Sequence, residues 1–243
     1  MPRFYIPPGE LNPDFPVLTG SEAHHALHVL RLKPGDKLTI LNGQGGVLDT
    51  SILSTTKKEA ILTPAPLQII PPPRAQIHLA PAISKGKTFD SVIQKTTELG
   101  ASAIFPLITQ RTIVKPSPAH LTKYSSITIE AAKQCGIPYL PTINKISKTS
   151  EVIKLRKDYD LLLVGALWEG SLRIQGLVKE FQEKNGRPPK KILVFVGPEG
   201  DFTDAEKEMF QRAGVRSVSF GPNVLRAETA AFYALSVLNS LLL

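Results

Sequence analysis

The sequence predicts an α/β protein in two parts: a small, mostly β N-terminal unit and a larger C-terminal domain with a mainly parallel sheet. Three observations carry this reading. PAPLQIIPPP (64–73) holds five prolines in ten positions, which no helix tolerates, and it marks a boundary. Before it, short strand-like runs are divided by glycine-rich turns. After it, apolar strand-like runs alternate with helical ones. The expected domains are 1–70 and 74–243, a reasonable division for 243 residues.

In the first part, SEAHHALHVL (21–30) is the helical candidate, with Ser21 as its expected N-cap. LKPGD is a turn and KLTILN a strand. NGQGG (42–46) signals a hairpin, because asparagine and glycine tolerate positive φ. VLDTSILS and AILTPA add strands, and four or five short strands in about 70 residues suggest a small barrel.

In the second part, QIHLAPA (76–82) predicts a strand and TFDSVIQKTTEL (88–99) a helix stopped by Gly100. SAIFPLI (102–108) reads as one strand, and HLTKYSSITIEAAKQC (120–135) as a helix ending at Gly136. DLLLVGAL (160–167) and KILVFVG (191–197) are apolar enough for buried strands. Between them SLRIQGLVKEFQEKN (171–185) is a helix stopped by Gly186. TDAE (203–206) is a capping box opening the next helix. VRSVSFG (215–221) is a strand. AETAAFYALSVLNSLL (227–242) is the closing helix, whose stripe of Phe232, Leu235 and Leu238 suits either core or interface.

Composition narrows the class. No apolar run approaches the roughly 18 residues that span a bilayer. MPRFYIPPGE lacks an apolar h-region, so no secretory signal is expected. The one cysteine, Cys135, excludes an internal disulfide and a cysteine-only metal cage. A cytoplasmic protein away from membranes is expected. Lysine and arginine number 29 against 21 acidic residues, and the excess is local: residues 74–157 carry a net +9, while 1–73 net zero and 158–243 net −1. Such a bias suits a polyanion, or else a solvated lysine-rich surface.

Ligands of open parallel sheets bind beyond the C-terminal strand ends. Two such ends stand out. In VGPEGDFTDAE (196–206), Gly197 and Gly200 let the backbone bend and approach a ligand, Pro198 stiffens the loop and Glu199 offers a polar anchor. In SFGPNVLRAETAA (219–231), Gly-Pro is followed by Leu225, Arg226, Glu228 and Thr229. Neither loop is a GxGxxG fingerprint or a phosphate loop. Either alone reads as a turn, with Arg226 and Glu228 a surface ion pair; two on successive strand ends favour a site.

GPEGDF followed by FGPNVLRAETAA resembles the C-terminal signature of the SPOUT methyltransferases that make N3-methyluridine in bacterial 16S rRNA. AHHALHVLRLKPGD (23–36), SKGKTFDSVIQKTTELG (84–100), QRTIVK (110–115) and EAAKQCG (130–136) are similar to further family blocks, in the same order. The resemblance implies a PUA-like RNA-binding barrel joined to a SPOUT domain with a deep trefoil knot. It also implies a homodimer, S-adenosylmethionine as methyl donor without a metal, and the small ribosomal subunit as partner. Carried over, the cofactor loops include Leu167, Gly197, Pro198, Glu199, Gly200, Phe220, Gly221, Val224 and Leu225. Two positions depart from the pattern: Asp201 stands where the family usually has glycine, and Ile137 where it commonly has arginine.

Uridine N3 carries a proton that must leave before methylation, so the site needs alignment and a stabiliser for the anion. Arg226 and Arg111 are the expected stabilisers. Glu228 is the nearest carboxylate for proton removal or for orienting an arginine; a helix N-terminus also simply favours such a residue. RNA contact is expected from His24, His25, Arg31 and Lys33 on the small unit, and from Lys85, Lys87, Lys95, Arg111 and Lys115 in the basic third. His24, His25 and His28 lack the neighbouring ligands of a zinc site. Two other readings remain: a non-catalytic RNA-binding or ribosome-assembly protein that kept the fold, and an α/β enzyme using GPEG for a phosphate-bearing ligand.

Overall fold

The computed structural model describes all residues from Met1 to Leu243 except Lys115, Pro116, Pro118 and Leu167. The expected roles of Leu167 and Lys115 therefore fall outside the described residues. The chain forms two units: Met1–Pro72 with Ile129–Leu140, and Pro73–Thr128 with Pro141–Leu243.

The first unit holds β1 (Arg3–Tyr5), β2 (Val17–Leu18), β3 (Lys37–Leu41), β4 (Gly46–Thr55), β5 (Ala60–Leu62) and β6 (Gln68–Ile69). They form a curled sheet ordered β1-β3-β4-β5-β2, with β6 added to β4. All pairs are antiparallel except β1 with β3. β4 makes the curl. Its register shifts between Ile52 and Ser54, and such a bulge bends the strand so that one half pairs β3 and the other β5. Phe4, Leu18, Leu38, Ile40, Leu48 and Leu62 fill the concave side.

The hairpin between β3 and β4 turns on Asn42, whose side-chain oxygen accepts from the N–H groups of Gln44 and Gly46 at 2.8 and 2.7 Å. Within the proline-rich stretch, Gln68–Ile69 form strand β6, paired with β4. Helix α1 (Gly20–His24) starts earlier than expected. Its N-cap is Thr19, not Ser21, and it runs on as a π-helical turn over His25–Val29.

The second unit is built on six parallel strands, β7 (Gln76–Pro81), β8 (Ala103–Ile104), β10 (Thr142–Ile143), β12 (Leu161–Gly165), β13 (Lys191–Val196) and β14 (Arg216–Val218), ordered β10-β8-β7-β13-β12-β14. β9 (Leu107–Ile108) pairs instead with β11 (Ser147–Lys148). SAIFPLI is thus two short strands in different sheets rather than one. Pro106 separates them, because proline has no N–H to continue a ladder.

β13 is buried on both faces. Ile192, Val194 and Val196 join a core cluster with Phe89, Leu235 and Leu238, while Leu193 and Phe195 join Phe202 and Phe210 on the other side. Helices α2 (Thr88–Glu98) and α7 (Ala227–Leu242) supply the first face, and α6 (Asp204–Arg212) the second. α3 (Ala119–Cys135), α4 (Thr149–Val152) and α5 (Ile174–Asn185) complete the helices named here. Leu235 and Leu238 are core, and Phe232 is half-buried.

The connection after β12 has an unusual path. Val218 pairs with Gly165 on one side and bridges to Leu172 on the other. Ala166 N–H donates to the Val218 carbonyl at 3.1 Å, and Ser219 N–H to the Leu172 carbonyl at 2.9 Å. β14 therefore lies between the end of β12 and a later part of the same connection.

Candidate active site

β12, β13 and β14 end side by side, and a cleft of about 650 Å³, including its open mouth, lies beyond them. The strand-end residues Gly165, Ala166, Val196, Gly197 and Val218 line it, with Ala230 from α7. Gly165 is glycine for a steric reason. A Cβ there would sit 2.4 Å from the Phe220 ring, which packs across the strand end. Val224 and Leu225 add apolar wall, and Val224 is 82% exposed. Glu199, Asp201 and Asn223 supply the polar groups. Few polar groups on a mostly apolar concavity are the usual make-up of a small-molecule site.

The GPEG loop is held from below. Thr203 caps α6, accepting from the Glu206 N–H at 3.3 Å, and the Glu206 carboxylate accepts from the Thr203 N–H at 3.1 Å, which is the expected capping box. Glu206 is only 2% exposed, and its other oxygen accepts from Gln110 N–H at 3.2 Å and Thr149 Oγ1 at 3.1 Å. One buried carboxylate thus ties the start of α6 to the turn after β9 and to α4. From that turn Arg111 reaches back and donates to the Gly200 carbonyl. Asp201 takes a left-handed conformation, φ +60, with its N–H donating to the Pro198 carbonyl at 2.9 Å.

Of the expected cofactor residues, Gly197, Pro198, Glu199, Phe220, Val224 and Leu225 line the cleft together. Gly200 lies against Arg111, and Gly221 has φ +130 in the turn after Phe220, donating its N–H to Ser219 Oγ at 3.3 Å. Arg226 is exposed at the N-cap of α7, and Glu228 lies half-buried in its first turn. Ala227, between them, lines the cleft. Sequence reasoning did not single out Gly165, Ala166, Val196, Val218, Asn223, Ala227 or Ala230.

Residues 71–239 match the family described as an RNA methyltransferase domain, and residues 18–65 match an RNA methyltransferase PUA domain. The chain is 31% identical over 242 residues to the ribosomal RNA small subunit methyltransferase E of Synechocystis sp., covering 99% of this chain and 78% of that protein. It is 30% identical over 232 residues to the Bacillus subtilis protein of the same name, covering 91% and 88%. The chain belongs to the ribosomal RNA small subunit methyltransferase E family. A Neisseria gonorrhoeae methyltransferase E, solved bound to S-adenosyl methionine, superposes with TM-score 0.86 at 28% identity, covering 99% of this chain and 98% of that one. A Legionella pneumophila structure with S-adenosylmethionine as bound cofactor gives 0.87 at 33% identity, covering 98% and 97%.

This methyltransferase E family member presents its expected RNA-facing residues in two separate groups. Lys85 and Lys87 are exposed in the loop between β7 and α2, at the same C-terminal edge of the sheet as the cleft. Lys95 pairs with Glu98 at 2.9 Å on α2 instead. On the small unit, His24, Arg31 and Lys33 are exposed, and His24 packs against His28 with tilted rings whose centroids are 5.0 Å apart. His25 differs: it is half-buried and packs edge-on against Phe4. Arg31 holds φ +55, following Leu30 at the end of the π-helical turn. The π-helical turn and the positive φ at Arg31 fall in one exposed basic segment.

Proposed function

We propose that this chain methylates N3 of a uridine in 16S rRNA of the small ribosomal subunit, using S-adenosylmethionine. The observation that carries the reading is the strand-end cleft, formed by the two loops that bear the family signature. Its make-up suits the cofactor: an apolar wall for a nucleobase, backbone groups at the glycines for hydrogen bonds, and carboxylates for cationic groups. Gly197, Pro198, Phe220, Val224 and Leu225 would hold it. When bound, S-adenosylmethionine supplies a methyl group already activated by its sulfonium charge.

The protein must then favour the uridine anion and keep N3 aligned. Arg226, exposed at the N-cap of α7, and Arg111, beside Gly200, are the cations available to stabilise charge developing on the uracil oxygens. Glu228 accepts the N3 proton or orients Arg226. A paired, stacked uridine hides N3, so the base is splayed out, and Lys85 and Lys87 beside the cleft hold nearby phosphates, while His24, Arg31 and Lys33 give the small unit its own RNA contacts. We place the domain boundary between 70 and 74.

We further infer a trefoil knot, a homodimer and a cytoplasmic enzyme. The knot is supported by the path of β14, held between Gly165 and Leu172 of one connection. The dimer and the compartment rest on family resemblance, and among the described residues no helix is long and apolar enough to cross a membrane. The test is transfer of labelled methyl from S-adenosylmethionine to purified small subunits that lack the modification. Label in 16S rRNA supports the reading. Cofactor binding without transfer to any rRNA contradicts the assigned substrate.

A further inference from the structure

Asp201 and Arg31 are the two non-glycine residues with positive φ among the described residues. An L-residue at φ +60 is strained relative to glycine, and aspartate tolerates the conformation better than most. The turn itself asks for no side chain: its bond from Asp201 N–H to the Pro198 carbonyl is made by backbone. Yet the side chain is fixed. One carboxylate oxygen accepts from Phe202 N–H at 2.7 Å and lies 3.3 Å from where a Cβ on Gly197 would be. Asp201, Gly197, Pro198 and Glu199 all line the cleft. The fold thus keeps a carboxylate on the cleft wall at a backbone position better suited to glycine. Arg111, the neighbouring cation, donates to the Gly200 carbonyl rather than to the Asp201 carboxylate, which accepts from Phe202 N–H.

We propose that Asp201 is a specificity residue that reads the charge of the cofactor, favouring the sulfonium donor over the neutral thioether left after methyl transfer. This rests on the S-adenosylmethionine reading above. S-adenosylmethionine and S-adenosylhomocysteine share their nucleoside, amine and carboxylate. Contributions from those groups cancel in the ratio of the two Kd values, and the sulfonium charge remains. A carboxylate in the same cleft attracts that charge, and salt weakens the attraction. The consequence is a product that binds weakly and leaves.

The experiment is calorimetric titration of the full chain with each ligand, for wild type, Asp201→Asn and Asp201→Gly. Asparagine keeps an oxygen for the Phe202 N–H and tolerates the left-handed backbone; glycine removes the strain. The ratio of the S-adenosylhomocysteine Kd to the S-adenosylmethionine Kd is expected to fall roughly two- to fivefold in both variants, the range of a partly exposed charge pair. Equal ratios in all three proteins, with S-adenosylmethionine still bound, overturn the proposal and leave the cofactor reading standing. A change in the glycine variant alone assigns the effect to backbone strain and also overturns it. A wild type that binds neither ligand removes the cofactor reading itself.

Discussion

At Gly165 the cost of one methyl group can be read from geometry. Gly165→Ala places a Cβ into the Phe220 ring. We expect a loss of about 1–3 kcal/mol in urea unfolding, typical of overpacking, together with weaker S-adenosylmethionine binding because Phe220 lines the cleft. Adding Phe220→Leu should recover part of the stability; no recovery would locate the strain elsewhere. Arg226 is a different case, since it is exposed and its loss leaves the core intact. Arg226→Ala should lower kcat by about a hundredfold, as removing a charge-stabilising donor does, with the S-adenosylmethionine Kd little changed. A comparable loss in both would make it a binding residue. Gly197 and Pro198 stood out because glycine and proline punctuate strand-end loops, and Leu225 through the family resemblance. Ala166, Val218 and Ala230 did not: they are ordinary strand-end and helix residues that register alone brings to the cleft wall.

The capping box before α6 shows how much an element's start can reveal. Thr203 and Glu206 stand three apart, as the motif requires, and both reciprocal bonds are present. Thr203→Ala should cost about 1 kcal/mol, measured by thermal or urea unfolding. Glu206→Ala should cost more, because it also strips Gln110 N–H and the Thr149 hydroxyl of their acceptor. Equal losses would mean that Glu206 acts as a cap only. Those longer-range bonds were invisible in sequence, since Gln110 and Thr149 lie 96 and 57 positions away. The long apolar runs β12 and β13 and the glycine-stopped helices α2, α3 and α5 were legible from periodicity. β10 and β11 have two residues each, too few for any period to show. The π-helical turn after α1 keeps a helical pattern in sequence while changing its hydrogen bonding, so only coordinates reveal it.

For the molecule as a whole, acid is the informative perturbation. Burial, then the nearby Lys191 ammonium, push His78 down to about 4 from 6.5. Its ring nitrogen Nδ1 lies 2.9 Å from the Tyr159 hydroxyl. Between those two values the unfolded chain binds a proton that the folded one refuses, so stability falls as pH drops from 6.5 toward 4. The loss approaches about 3 kcal/mol as an upper bound. A second loss follows at lower pH. Arg187, with the N–H groups of Lys190 and Lys191, holds the Asp160 carboxyl down to about 2 from 3.8, so its contribution is present above 3.8 and disappears as pH falls through 2. Urea midpoints from pH 7 to pH 4 should decline, and His78→Asn should flatten that decline; an unchanged slope would mean that His78 is protonated in the fold.

The net +9 over residues 74–157 predicts salt-sensitive RNA binding. Replacing Lys85 and Lys87 with alanine should reduce the slope of log K against log salt by about one for each phosphate no longer neutralised. The most direct test of the account is nucleoside mass spectrometry on 16S rRNA from small subunits incubated with the protein and S-adenosylmethionine. N3-methyluridine at one site, absent with Arg226→Ala at matched times, is the predicted result. Methylation at another atom, or no methylated nucleoside from a protein that binds the cofactor, would contradict it.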